Sequence, residues 1–364
     1  MYTDVILKGL LYFPIVALLI TFPYMLYEYH KFGSIHPYRT FIIYSFVLYL
    51  LIAYFLVILP LPTFESVATL TTPRMQLIPF SFINDIIKEN TIVLGNINTY
   101  LPGLAKSCFY VPLYNVFLTF PFGIYLHYYF KLDLKKVTIF SFLLSLFFEL
   151  TQLTGLYFIY PRGYRLFDVD DLLLNTLGGV IGYYIAFIAI KILPSKDEIN
   201  DKAYEIGKKI SFIKRITVYI FDILIYFTID TIIYTLTNKN AVFILWVIYY
   251  ILIPITFKRT IGQKFLNIKL QSMNDKKISI LRIVEREILL ITTYYGFPII
   301  IIYIFFLLYY YLHINLLFGF IVMFIILIYY IIVLIKLIRN KDLLYEKISK
   351  IKLKSTILQN CNDM

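Results

Sequence analysis

The chain has 364 residues, of which 60% are hydrophobic and 19% aromatic, and its mean hydropathy is +0.78. A soluble globular protein is excluded, because several uninterrupted apolar runs are long enough to cross a bilayer as helices. The formal net charge of +12 is interpreted as basic loops that fix the topology and contact anionic lipid. Membrane lipid is therefore the expected partner, and nucleic acid is not.

The sequence predicts an all-α polytopic integral membrane protein with about nine transmembrane helices in two bundles. The predicted spans cover residues 9–27, 41–59, 110–130, 137–156, 172–193, 216–236, 241–257, 288–312 and 316–337. The first apolar run has no small-residue cleavage site, so we expect it to be retained as a helix.

Basic residues are concentrated in alternate connections between the predicted spans. Lys131, Lys135 and Lys136 follow the third span, and other basic clusters lie within 202–215, 258–286 and 336–354. Placing every basic segment in the cytoplasm predicts a multi-pass protein of the cell membrane, with its N-terminus outside and its C-terminus cytoplasmic. The connection 157–171 then lies on the outer face.

One hydrophilic stretch divides the chain. Residues 194–214 mix Pro, Lys, Asp and Glu between two groups of spans. This pattern predicts an N-terminal transmembrane module over 1–193, a cytoplasmic linker over 194–214, a C-terminal transmembrane module over 215–355 and a tail over 356–364. No repeat relates the two modules, which argues against an inverted-repeat transporter.

Polar side chains recur at helical spacing on three predicted spans. The fourth span carries Ser141, Ser145, Glu149 and Gln152 at intervals of three and four residues. The other two faces comprise Asp168, Asp171, Asn175, Gly178 and Gly182 at the fifth span, and Asn115, Thr119 and Gly123 at the third, which Pro121 interrupts. We expect these faces to surround a polar centre that is open to the outside.

Glu149 is the residue that most needs an explanation, because a carboxylate inside a span requires a partner. Arg165 in the outer connection is the first candidate, and Arg162 is the second. Both a ligand-binding carboxylate and a purely structural ion pair are compatible with this pattern.

The neighbouring polar residues also have structural interpretations. Asp168 and Asp170 are good helix N-caps. Asn115 can bridge two helices, and the glycines of the fifth span favour close helix packing. Cys108 and Cys361 have neither a metal-site nor a disulfide-framework spacing, so no metal and no cofactor is predicted.

The stretch around Glu149 resembles the VanZ-like protein family, whose signature is E-x-x-Q, R-x-x-D-x-x-D and N-T-x-G-G-x-x-G. The matching residues are Glu149, Gln152, Arg165, Asp168, Asp171, Asn175, Thr176, Gly178, Gly179 and Gly182. Residues 77–80 resemble the family's N-L-I-P-F element, with Gln76 in place of the usual Asn, and residues 115–123 resemble N-x-x-x-F-x-P-x-G. The resemblance covers most of 1–193. It implies that the polar residues and Asn115 contact a ligand, and that Pro79, Phe80, Pro121, Gly123 and the later glycines are structural.

The C-terminal module resembles the RDD family. The residues that carry this resemblance are Arg215, Asp222, Thr260, Gly262, Lys264, Arg286, Glu287 and Glu346. Glu346 stands where the family has its second Asp, and Tyr345 stands where it has His, so the negative charge is kept and the imidazole is not. The structural alternative is that Arg215 and Asp222 form a topology and packing pair.

The VanZ resemblance implies low-level resistance to teicoplanin-type lipoglycopeptide antibiotics without alteration of the cell-wall precursor. The expected ligand is the antibiotic or an envelope precursor, held in the outward-facing polar pocket. Two other functions are compatible with the residues. They are cation or proton-coupled transport through the RDD-like module, and acid–base catalysis on envelope lipids by Glu149 with Asp168 or Asp171. The oligomeric state is not predicted.

Overall fold

The structure is a computed structural model that describes residues 2–89, 91–93, 95–239, 241–274, 277–312, 317–339 and 341–357. Leu316, the part of the predicted tail from residue 358 onward, and Cys361 lie outside the described residues. The chain is an all-α polytopic membrane protein, which confirms the predicted fold class. It forms two compact units: the first comprises Met1–Leu19 with Pro37–Ile199, and the second comprises Ile20–His36 with Asn200–Met364. Residues 20–36 thus belong with the C-terminal half of the chain.

Helices dominate the first part of the chain. The elements in order are α1 Tyr2–Phe32, α2 Pro37–Ile58, α3 Phe64–Ala68, β1 Met75–Gln76, α4 Ser81–Glu89, a 3-10 turn Ile97–Thr99, α5 Tyr100–Leu104, α6 Ser107–Tyr128, α7 Leu134–Leu153, α8 Gly155–Phe158, β2 Phe167–Asp168, α9 Val169–Ile192 and α10 Lys196–Gly207. The strands β1 and β2 pair in parallel, with Met75 opposite Phe167 and Gln76 opposite Asp168.

The second part of the chain adds a short hairpin to its helices. The elements are α11 Phe212–Thr237, α12 Val242–Val247, a π-helical turn Ile248–Leu252, α13 Ile253–Phe257, α14 Ile261–Phe265, β3 Ile268–Ser272, α15 Ile280–Ile291, a π-helical turn Thr292–Gly296, α16 Phe297–Leu312, α17 Leu317–Ile338, α18 Leu344–Ser349 and β4 Ile351–Ser355. The strands β3 and β4 are antiparallel and bury Ile268, Leu270 and Ile351. No strand was expected here from the sequence.

The predicted count of about nine spans is not confirmed. Among the described residues, seven helices are long and apolar enough to cross a membrane: α1, α2, α6, α7, α9, α11 and α17. A helix pair over Ile280–Tyr294 and Phe297–Tyr311, bent by 42°, makes an eighth span if it is taken as one. The predicted span 241–257 is the shorter apolar helix Val242–Phe257. At about 1.5 Å per residue it is about 24 Å long, which is less than the ~30 Å of a hydrocarbon core.

Aspartates begin two of the helices that form the site. Asp133 Oδ1 accepts a hydrogen bond from the backbone N–H of Lys136 at 2.8 Å, and this N–H holds the pKa of Asp133 below its usual range. Asp168 Oδ1 accepts from the backbone N–H of Asp170 at 2.8 Å, at the start of α9. The N-cap role predicted for one of the acidic pair Asp168 and Asp170 is confirmed for Asp168.

Helices α6 and α9 contact each other through their backbones. A Cβ atom on Gly178 would lie 2.1 Å from the carbonyl oxygen of Val116, and one on Gly182 would lie 2.1 Å from that of Phe120. Since the contacts advance by four residues on both helices, the two run parallel and begin at the same face. The close packing predicted for the glycines of the fifth span is confirmed.

Candidate functional site

A cavity of about 550 Å³ lies in the first unit. Its apolar wall includes Ile6, Leu56, Val111, Phe117, Leu118 and Phe148. Its polar lining comprises Asn115, Glu149, Gln152, Arg165, Asp171 and Asn175. The structure therefore places six of the seven predicted ligand-binding residues around one space. The seventh, Asp168, lies at the adjoining strand β2.

The polar stripe of α7 forms one side of this cavity. Glu149 is 3% exposed, and its Oε2 accepts a hydrogen bond from the backbone N–H of Asp168 at 3.0 Å. Gln152, one turn further, donates from Nε2 to the carbonyl oxygen of Val57 at 2.9 Å. The spacing of three residues brings both side chains to the same face of the helix. Glu149 binds the backbone of β2 there, and Gln152 binds the backbone of α2.

The opposite side of the cavity is built by α6 and α9. Asn115 Nδ2 donates to Asp171 Oδ1 across the two helices. Asn175 Nδ2 donates to Ser145 Oγ at 2.9 Å, whereas Asn175 Oδ1 is buried without a donor. An unsatisfied buried acceptor is costly, and this one belongs to a residue that lines the cavity.

The arginines have different partners from those expected. Arg165 lines the cavity with Glu149, but these two described residues form no ion pair; Arg165 Nη2 donates to the carbonyl oxygen of Leu59 at 3.0 Å. Arg162 donates to the carbonyl oxygens of Leu70 and Thr72. The expectation that an arginine pairs with Glu149 is therefore wrong. Both guanidinium groups instead hold the connection that follows α2, because free carbonyl oxygens are available there.

Asp170 is a structural residue whose main role the sequence did not indicate. Its Oδ1 accepts from the backbone N–H of Phe80 at 2.5 Å, and its Oδ2 accepts from Ser81 Oγ at 2.7 Å and the N–H of Phe82 at 3.0 Å. Pro79 and Phe80, predicted as structural, thus form the turn that binds this carboxylate. Phe80 has a φ of 64° there. No spacing rule connects Asp170 with residues ninety positions earlier.

Removing the Asp170 carboxylate should detach the start of α4 from the start of α9. An Asp170→Ala variant loses three hydrogen bonds to a charged acceptor, each worth about 1.5–3 kcal/mol. We expect faster proteolytic cleavage within 80–89 in the purified protein. Asp197→Ala removes an exposed surface ion pair with Lys131 and serves as the matched control. Equal cleavage of the two variants would show that Asp170 does not hold this segment.

A second, smaller cavity of about 250 Å³ adjoins the first. Carboxylates from two regions line it: Asp85, Glu89, Asp168, Asp170 and Asp171. Asp171 lines both cavities. Burial raises the pKa of Asp168, and the neighbouring Asp170 and Asp85 carboxylates add to the effect, while the hydrogen bond from the N–H of Asp170 opposes it. The space is therefore acidic and suits a cationic or hydrogen-bond-donating group.

In the second unit, Asp222 is held by three donors. Its Oδ1 accepts from the Tyr249 hydroxyl at 2.5 Å and from the backbone N–H of Gly262 at 2.8 Å, and its Oδ2 accepts from Thr260 Oγ1 at 2.7 Å. A Cβ on Gly262 would lie 2.5 Å from Asp222 Oδ1, so a side chain there would displace the carboxylate. The packing-pair interpretation assumed that Asp222 pairs with Arg215. These two residues do not pair in the structure.

Arg215 pairs instead with Glu346. Their Nη1 and Oε1 atoms are 2.8 Å apart, and the Glu346 side chain is fully buried. Glu346 Oε2 also accepts from the backbone N–H of Leu343 at 2.9 Å, at the start of α18. The residues that carry the RDD resemblance thus meet in separate groups. Asp222 contacts Thr260 and Gly262, and Arg215 contacts Glu346.

Arg286 and Glu287, which also carry that resemblance, form an ion pair with each other. The guanidinium carbon of Arg286 lies 5.2 Å from the centre of the Tyr345 ring. Burial raises the pKa of Tyr345 to about 12. Tyr345 therefore stays neutral at physiological pH.

No group of three or more His, Cys, Asp or Glu side chains among the described residues is arranged to hold a metal ion. Four of the cavity carboxyl groups, those of Glu149, Asp168, Asp170 and Asp171, accept hydrogen bonds from backbone N–H, hydroxyl or amide donors. Hydrogen bonding to an organic ligand is the chemistry that this arrangement supports directly.

Comparison with known proteins identifies one segment. Residues 46–191 match the family described as VanZ/LLP1. No curated protein and no solved structure matches the chain. The matched segment begins within α2, ends within α9, and contains every polar residue that lines the larger cavity. Residues 46–191 therefore form a VanZ-like module.

Proposed function

We propose that this protein lowers the susceptibility of the cell to teicoplanin-type lipoglycopeptide antibiotics by binding the antibiotic or an envelope lipid in the larger cavity. The VanZ family is associated with glycopeptide (teicoplanin) resistance, and the VanZ-like module contains this cavity. The proposal concerns binding rather than modification of the antibiotic.

The observation that carries the proposal is the two-sided lining of the cavity. One end is lined by Glu149, Asp171 and Asn175, whose carboxyl and amide groups favour amines, amides and hydroxyls. The wall formed by Leu56, Phe117 and other apolar side chains favours hydrocarbon. An amphiphile matches both parts, because burying its tail is favourable only where the polar head also finds partners.

The volume of the cavity limits the size of the ligand that it can hold. A volume of about 550 Å³ is within the range of small-molecule sites, roughly 300–1,000 Å³. It accommodates a head group or part of a lipid tail, and not a whole lipoglycopeptide. The rest of such a ligand would extend along the helices into the leaflet.

The charge distribution supports an outward-facing position for the polar end. The connection 131–136 carries Lys131, Lys135 and Lys136 at the opposite end of α7 from Glu149 and Gln152. Basic connections favour the cytoplasmic side. With the N-terminus outside and the C-terminus cytoplasmic, the carboxylates face the envelope, where a lipoglycopeptide arrives.

A growth assay with a Glu149→Ala variant tests the proposal. We expect the variant to lose the protection against a lipoglycopeptide that the parent chain confers, at equal protein level in the membrane. Glu65→Ala, which changes an exposed acidic residue of α3, is the matched control and should keep full protection. Unchanged susceptibility of the Glu149→Ala strain would end the proposed role of the cavity.

A binding experiment separates loss of the ligand from loss of the fold. Glu149→Gln retains a side-chain oxygen for the N–H of Asp168 while it replaces the carboxyl group by an amide. The purified variant in nanodiscs should remain folded and bind a fluorescent lipoglycopeptide more weakly than the parent does. Binding of equal strength would contradict a direct role for the carboxylate.

Transport of cations through an RDD-like second unit is the second candidate. Asp222 is 3% exposed within α11, as a residue on an ion pathway would be. Its two oxygens, however, already accept three hydrogen bonds, which is typical of a carboxylate that fixes local structure. Reconstituted vesicles with a cation flux that disappears in Asp222→Asn would favour transport over this structural role.

A further inference from the structure

Helix α4 presents an apolar side that no described residue covers. Ile83 and Ile87 lie one helical turn apart on this side, and Ile87 is 69% exposed. Ile78 and Phe80, just before the helix, are exposed as well. Lys88 lies on the polar side of the helix, away from Ile83 and Ile87, and is exposed. Such a division of apolar and polar residues is typical of a helix that lies at an interface.

The N-terminal end of α4 is fixed to a membrane span. Asp170 belongs to the first turn of α9 and accepts hydrogen bonds from Phe80, Ser81 and Phe82. A carboxylate at this end also interacts favourably with the positive end of the helix dipole. The start of α4 therefore lies at the membrane depth at which α9 begins.

The C-terminal end of α4 is fixed to a second span. Lys106 Nζ donates to the carbonyl oxygen of Glu89, the last residue of α4, at 2.7 Å. Lys106 is also the N-cap residue of α6. Since α6 and α9 run parallel from the same face, both ends of α4 lie at the depth where spans begin. A helix of nine residues is about 13 Å long, so α4 lies across the starts of α6 and α9.

We propose that α4 is an interfacial helix, and that Ile78, Phe80, Ile83 and Ile87 insert among the lipids of the leaflet in which α6 and α9 begin. The opposite edge of α4 contributes Asp85 and Glu89 to the smaller cavity. The helix therefore separates an acidic space from the hydrocarbon.

Lipid is the occupant that fits this surface, because the surface continues the exposed part of α6. Tyr110 in the first turn of α6 is exposed and lines neither cavity, and the same is true of Leu113 further along. An apolar helix of this kind at the end of membrane spans meets the acyl-chain and glycerol region before it meets water. The inference does not depend on which face of the membrane is outside, nor on the identity of the ligand in the larger cavity.

Tryptophan fluorescence tests the position of α4. The chain has a single tryptophan, Trp246, so the Trp246→Phe variant has no tryptophan fluorescence of its own. Ile87→Trp is then placed on the apolar side, and Lys88→Trp on the polar side is its matched control. Both full-length variants are reconstituted in phosphatidylcholine vesicles, with and without lipids brominated near the glycerol end of the acyl chain. If the background variant is poorly produced, the Trp246 signal of the parent chain is subtracted instead.

We expect Ile87→Trp to emit at shorter wavelength than Lys88→Trp and to be quenched several-fold by the brominated lipid. Lys88→Trp should show emission typical of water and little quenching. Water-like emission from Ile87→Trp would overturn the proposal, because the apolar side would then face solvent. Short-wavelength emission without quenching by bromine would also overturn it, since a protein surface rather than lipid would then cover α4.

Discussion

Replacing Glu346 by alanine should lower the free energy of unfolding of the second unit by about 3–5 kcal/mol. The Glu346 carboxylate is fully buried, 2.8 Å from the guanidinium of Arg215, which is itself 15% exposed. The alanine variant removes the acidic partner and leaves this guanidinium largely out of water. It also removes the acceptor for the backbone N–H of Leu343. Amide hydrogen exchange of the full chain in nanodiscs should show faster exchange in β3, β4 and α18, with no change in α7.

Two further variants separate the effect of the ion pair from the effects of the hydrogen bond to Leu343 and of removing a surface charge. Glu346→Gln keeps an oxygen for the N–H of Leu343 but loses the charge, so its effect should isolate the ion pair. Glu205→Ala removes an exposed i,i+3 pair with Lys208 and should change stability by no more than about 1 kcal/mol. If Glu346→Ala exchanges no faster than Glu205→Ala, the buried pair does not stabilise the second unit.

Helical spacing was sufficient to predict which residues meet in the site. Ser145, Glu149 and Gln152 share a face because a side chain returns to the same side of a helix every three or four residues. The same rule placed Asn115 on the polar face of one span and Asp171 on that of another, and the two side chains meet across α6 and α9. Five of the six predicted ligand-binding residues that line the cavity lie on these three helices. The resemblance to the VanZ-like family added the role of Arg165, which lies outside any helix.

Pairing between charges was not predictable in the same way. The sequence suggests that an acid inside a span pairs with an arginine nearby, but Glu149 accepts from a backbone N–H of Asp168 instead. Asp170 likewise accepts from the backbone of Phe80 and Phe82. Arg165 donates to a backbone carbonyl oxygen. Irregular connections at a membrane face contain many free backbone groups, and nothing in residue spacing indicates which of them a charge will reach.

The predicted number of spans is not confirmed, for a related reason. Apolarity alone does not distinguish a full span from the short helix Val242–Phe257, which contains a π-helical turn and is too short to cross without local thinning. The strands β3 and β4 were missed because their partners are about eighty residues apart. Local patterns specify elements more reliably than they specify contacts between distant segments.

The backbone contact between α6 and α9 links the stability of the first unit to its site. A Gly123→Ala variant would place a Cβ 1.9 Å from the carbonyl oxygen of Gly179. A backbone atom cannot move aside as a flexible side chain does, so the two helices must separate. We expect the free energy of unfolding of the first unit to fall by about 1–3 kcal/mol, measured by hydrogen exchange in α6 and α9. Protection against a lipoglycopeptide should also decline, because Asn115 and Asp171 meet across this helix pair.

Gly319→Ala is the control variant. It distinguishes a clash with the backbone of a neighbouring helix from the general effect of replacing glycine by alanine within a helix. Gly319 also lies within a membrane span, but the atom nearest its added Cβ is the end of the Phe305 ring, at 3.1 Å. Alanine is a better helix former than glycine by about 1 kcal/mol, so Gly319→Ala should be neutral or stabilising. If Gly123→Ala behaved in the same way, α6 and α9 would not rely on close backbone contact. If it lowered stability but left protection intact, the Asn115–Asp171 contact would be unnecessary for the proposed binding.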